Sequence, residues 1–166
     1  MIALHDFNHL PEKEALALLT PCVALPGWAE ALVRGRPYSS RSEVFSTAKA
    51  LAQNWDEAAL AQALSAHPRI GEKPVGAQAE AALSRQEQGA VNESDAGLAQ
   101  ALREGNARYE ARFGRVFLIR AKGRSGEEIL QALRARLENS DAQEVQAALE
   151  QLREITLLRL EGVISE

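Results

Sequence analysis

The C-terminal segment constrains the fold most. From Asp141 onward, Val145, Ala148, Leu149, Leu152 and Ile155 recur at separations of three and four, the spacing that aligns one face of an α-helix. Arg159 follows Ile155 by four residues and Leu152 by seven, so it continues the same buried stripe, with Leu158 and Leu160 beside it. A guanidinium keeps its charge in a core and needs an anion or hydrogen-bond acceptors there. Two readings follow. Arg159 closes a structural ion pair or reaches water near the helix end, or its anion is a bound carboxylate held in the planar fork.

Helix periodicity and capping signals recur along the rest of the chain. Apolar residues make up 46% and aromatics only 5%, mostly as Ala and Leu, which favours helix over sheet. Asn8 is a candidate cap before "EKEALALL", with Pro11 in the first turn. "GWAEALVRG" ends at Gly35 and Pro37. Ser40 with Glu43, Ser125 with Glu128 and Ser140 with Gln143 have the spacing of capping boxes. "DEAALAQALSA" leads into His67. A short helix is expected to begin at Ser84, and a longer one through "DAGLAQALREGNARYEARF" to be capped by Asn92 or Ser94, weakened at Gly105. "FGRVFLIRAKGRS" reads equally as a short strand or as a buried extended segment. Residues 68–79, with two prolines and two glycines, read as loop. The expectation is one all-α domain over residues 1–166, compact, with about seven to nine helices.

Charge and cysteine usage narrow the function classes. The net charge is −4 with no block of Lys and Arg, which disfavours nucleic-acid binding. Cys22 is alone, so no intrachain disulfide forms and a reducing cytoplasm is expected. "MIALHDFNHL" is not a signal peptide, no apolar run has the length of a membrane span, and "GVISE" is not a peroxisomal address.

The chemistry-bearing residues are few. In "ALSAHPRIGEKP", Pro68 disfavours helix at His67, which puts a titratable ring where a helix breaks into a loop. His67 is either catalytic or a helix-terminal histidine favoured by the dipole. In "SRQEQ", Ser84 and Glu87 again have capping-box spacing, the reading favoured by spacing alone; an active-site reading needs Glu87 spared from capping. His5 and His9 are four apart but lack the intervening carboxylate of a zinc-protease motif, so no metal is expected. Nucleotide loops and a GxSxG elbow are absent. One His, one Glu and one Arg remain, which suits acid–base work on an anionic substrate.

These residues occur in a recognisable order. "HPRIG" at 67–71, "SRQEQ" at 84–88, "NARYEARFGRVFLI" at 106–119 and "LRL" at 158–160 resemble the 2-oxo-4-hydroxy-4-carboxy-5-ureidoimidazoline (OHCU) decarboxylases. "RPYSS" at 36–40 is similar to that family's RPF-type turn, with Tyr38 in place of Phe. The resemblance runs from "DFNHL" to "LRL". It implies an all-helical homodimer, no cofactor and decarboxylation of OHCU to S-allantoin in urate breakdown. It implies His67 as acid/base, Glu87 as active-site carboxylate and Arg159 as late-helix arginine. It also implies substrate contacts from Pro68, from Ser84, Arg85, Gln86, Glu87 and Gln88, and from Ile119, Arg120, Ala121, Lys122 and Gly123, the last group through backbone. The missing peroxisomal signal suits a bacterial-type cytoplasmic enzyme.

Two rivals stand beside that expectation. One is a related cofactor-free lyase or tautomerase acting on another ureido acid. The other is a non-catalytic helical interaction module, in which His67, Glu87 and Arg159 would have no reason to converge.

Overall fold

The computed structural model describes residues 1–70, 79–89 and 96–166. Nine α-helices stand among the described residues: α1 (Leu4–His9), α2 (Glu12–Leu19), α3 (Pro26–Arg34), α4 (Arg41–Ala52), α5 (Glu57–Leu64), α6 (Ala79–Glu87), α7 (Ala96–Phe113), α8 (Gly126–Arg136) and α9 (Asp141–Glu161). The all-α expectation holds. A 3₁₀ turn at Thr20–Cys22 follows α2, and the two-residue strands β1 (Ile2–Ala3) and β2 (Ile164–Ser165) pair in parallel, a feature too short to leave a sequence pattern. No described helix is long and apolar enough to cross a membrane.

The α9 stripe is buried as its spacing requires. Leu149 and Leu152 meet Leu19 of α2, Leu32 of α3, Val44 of α4 and Leu60 of α5 in one core. A second core joins Leu102, Tyr109 and Phe113 of α7 to Ile129 and Leu133 of α8. Gly105, which weakens α7 locally, is what lets α8 close on it: a Cβ there would lie 2.5 Å from Leu133 Cδ2. Ser125 and Ser140 complete capping boxes at α8 and α9. At α4, Ser40 accepts from the Glu43 backbone, but the Glu43 carboxylate turns to Ser39.

Residues 116–121 run between the two cores outside any helix or strand, as an extended-type segment by their burial in alternating cores, with no ladder partner among the described residues. Leu118 faces the first core, while Phe117 and Ile119 face the second, so the period of two serves two helical layers. Side chains satisfy the backbone instead. Arg136 Nη1 donates to the Leu118 carbonyl at 2.5 Å, and the Arg120 N–H donates to Gln151 Oε1 at 2.9 Å. Arg136 is itself held by the fully buried Glu144, 2.7 Å from its Nε, which also accepts from Tyr109 at 2.5 Å.

Two expectations are corrected. Asn8 does not cap α2; Pro11 occupies that position, and the Asn8 amide pairs with the Tyr38 backbone at 2.9 Å in both directions. That contact docks the 36–40 turn on α1, where the extra Tyr38 hydroxyl finds the Leu32 carbonyl at 2.5 Å. Second, Ser84 does not open a helix. It lies inside α6, so Ser84 and Glu87 cap nothing and share one face of that helix. The cap positions Asn92 and Ser94, and the loop beyond Ile70, lie outside the described residues.

Candidate active site

Three elements deliver the candidate side chains. After α5, tightening turns carry the chain to His67, whose N–H donates to the Leu64 carbonyl at 3.1 Å. α6 presents Ser84 and Glu87 one turn apart. α9 presents Arg159 from its buried stripe, where the residue is 4% exposed.

Arg159 is held on every side. Its Nε lies 2.8 Å from Glu87 Oε2 and its Nη2 2.9 Å from Glu87 Oε1, a two-point fork. Nη2 also donates to Ser84 Oγ at 3.2 Å, and Nη1 to the Pro21 and Cys22 carbonyls at 3.3 and 3.4 Å. The ion-pair reading of Arg159 is therefore realised, and its partner is the other charged candidate.

His67 does not behave as a helix-terminal cation. Burial, and secondarily the Arg159 charge, push its pKa from 6.5 down to about 3, so the ring is neutral at ordinary pH. Desolvation and a nearby guanidinium outweigh any help from the α5 dipole.

Two cavities adjoin at Glu87. The larger, about 440 Å³, is lined by Leu83, Gln86, Glu87, Lys122, Leu158, Arg159 and Gly162. It falls in the usual size range of small-molecule sites. The smaller, about 20 Å³, holds no more than a water-sized guest; His67, Pro68, Ser84, Glu87, Gln88, Ile119 and Ala121 are among its lining residues. Arg85, Arg120 and Gly123 line neither cavity. Arg120 turns to Glu154 and to the Lys122 carbonyl, and Gly123 takes a φ of +82° in the turn after the extended segment.

Sequence reasoning missed the residues that hold this site: Asn106 under the His67 loop, Gln151 and Arg136 on the extended segment. Asn106 had a usable signal. It interrupts the apolar stripe of Leu102, Tyr109 and Phe113 on α7, as Arg159 interrupts that of α9.

A helical fold that brings an imidazole, a carboxylate and a guanidinium to adjoining cavities can do acid–base chemistry on a small anion. The chain belongs to the OHCU decarboxylase family, whose model matches residues 8–161. It is 33% identical to the 2-oxo-4-hydroxy-4-carboxy-5-ureidoimidazoline decarboxylase of Amia calva over 87% of this chain and 81% of that one. It is 26% identical, over its full length, to a uric acid degradation bifunctional protein of Bacillus subtilis, of which it spans 33%. A crystal structure of OHCU decarboxylase in the presence of (S)-allantoin superposes with a TM-score of 0.74 at 28% identity, covering 88% of this chain and 96% of that one.

Proposed function

We propose that this chain is a carboxy-lyase that converts OHCU to S-allantoin in urate degradation. The observation that carries the reading is the meeting of His67, Glu87 and Arg159 at the two adjoining cavities, in a chain of this family. An interaction module gives no reason for that meeting.

The chemistry follows from the substrate. One ring carbon bears both hydroxyl and carboxylate beside a ring C=N. The bond to CO2 breaks, its electron pair moves into the C=N, and the ring nitrogen takes a proton. The enol so formed loses its hydroxyl proton and gains a C–H bond on the neighbouring carbon, on one face only. The C=N is the electron sink, so no cofactor is required.

Arg159 anchors the substrate carboxylate, and Glu87 yields its place in the fork and turns to the substrate's ureido or ring N–H groups. The small cavity beside His67 is too narrow for the substrate, whereas the larger one is roomy enough. Displacing Glu87 joins them and brings the reacting carbon to His67. Neutral in the free protein, His67 accepts the hydroxyl proton. Ser84, Gln88, Ile119 and Ala121 form the walls, with backbone groups of 119–123 available to the ring. We infer further that the chain acts as one domain, as a homodimer and in the cytoplasm, on the strength of the family resemblance and of the lone, buried Cys22.

The test couples urate, uricase and the preceding hydrolase to this protein and follows the optical activity of the product. Accumulation of S-allantoin supports the reading; racemic allantoin at the uncatalysed rate contradicts it.

A further inference from the structure

His67 lies beyond the end of α5, and the next residue, Pro68, has no N–H with which to anchor itself. α5 fixes the chain on the near side of His67 through the Leu64 carbonyl. On the far side the chain is fixed twice to α7. Arg69 forks onto Glu110, with Nε 2.7 Å from Oε2 and Nη2 2.9 Å from Oε1. The Arg69 side chain is 50% exposed, so this pair is screened and weak. The second contact is buried: Asn106 Nδ2 donates to the Ile70 carbonyl at 2.9 Å.

Asn106 is an odd choice for stability alone. It stands among Leu102, Tyr109 and Phe113 in the second core, and its Oδ1 is buried with no partner among the described residues. A buried amide that makes so few of its bonds gives up desolvation energy that a leucine would not. Its one bond among the described residues falls on the carbonyl three residues after His67, in a segment whose His67, Pro68 and Ile70 all line the smaller cavity.

We propose that Asn106 is a positioning residue: through the Ile70 carbonyl it holds the His67–Ile70 segment so that the imidazole sits at the reacting carbon. The proposal rests on the acid–base reading of His67. A catalytic ring has to be kept within about 0.5 Å of its working place, and a displacement of about 1 Å can lower the rate roughly 100-fold.

Asn106→Leu removes the donor and keeps the bulk. Per folded molecule, kcat should fall roughly 10–100-fold while KM changes little, because the substrate anchors are untouched. Introduced into His67→Asn, the same change should lower the residual rate less than about twofold, since there is no imidazole left to place. If Asn106→Leu does not fold, Asn106→Ala is measured in the same two backgrounds. Unchanged kcat in Asn106→Leu, or equal losses with and without His67, overturns the proposal. Normal turnover by His67→Asn overturns the acid–base reading and this proposal with it; an inactive His67→Asn beside a fully active Asn106→Leu overturns this proposal alone.

Discussion

Glu87 and Arg159 form a fork whose two arms differ in exposure: the arginine side chain is 1% exposed and the glutamate 18%. Of the two, Glu87 is the more exposed to water. On the function proposed above, an arriving substrate carboxylate displaces Glu87, so that one carboxylate replaces another on a guanidinium that stays where it is. That proposal makes the ion pair and the substrate anchor two states of one site rather than rival explanations.

Arg159→Lys tests the fork. Lysine keeps the charge but loses the planar pair of donors, so kcat/KM should fall at least about tenfold in a protein that still folds. Arg159→Met should cost about 1–3 kcal/mol, less than the about 3–5 kcal/mol of a fully buried pair, because the stranded Glu87 can turn outward. Thermal melts and turnover on the two variants decide the matter. A large stability loss with unchanged activity per folded molecule would remove Arg159 from the site.

Glu87→Gln keeps an acceptor facing Arg159 and removes the charge. It should fold and be inactive. Ser84→Ala should lower stability by no more than about 0.5–1.5 kcal/mol, the loss of one hydrogen bond to the guanidinium, because Ser84 caps no helix. Full activity in Glu87→Gln would count against its role.

His67 makes a signed prediction about pH. Its folded pKa of about 3 lies below the ordinary 6.5, so between these values the unfolded chain binds a proton that the folded one does not. The stabilisation is complete above pH 6.5 and is lost as pH falls toward 3, at most about 1.4 kcal/mol per pH unit. His67→Asn should show a shallower acid dependence of stability in that window. NMR titration of the His67 ring should show it neutral at pH 6. A ring that titrates near 6.5 in the free protein contradicts the account.

Legibility in the sequence followed locality. The α9 stripe, the Ser125 and Ser140 caps and the break after α5 depend on neighbours in the chain, and each was readable. Arg159 was readable as a charge on an apolar face; that its partner would be Glu87, 72 residues earlier, was not. The Ser84–Glu87 spacing misled because a capping box and a polar helix face share the same three-residue interval, and only the start of α6 at Ala79 separates them. The extended segment stayed ambiguous because its backbone partners, Gln151 and the Glu144-held Arg136, come from later helices. The family resemblance alone points to Pro68, Gln88, Ile119 and Ala121, and all four line the smaller cavity.

The most direct measurement of the central claim is the optical purity of allantoin formed from freshly generated OHCU by the wild type and by His67→Asn, both verified as folded. The account predicts nearly pure S-allantoin from the wild type. From His67→Asn it predicts a rate lower by roughly 10²–10⁴ and product approaching the racemic mixture of spontaneous decay. S-allantoin formed by His67→Asn at the wild-type rate would contradict it.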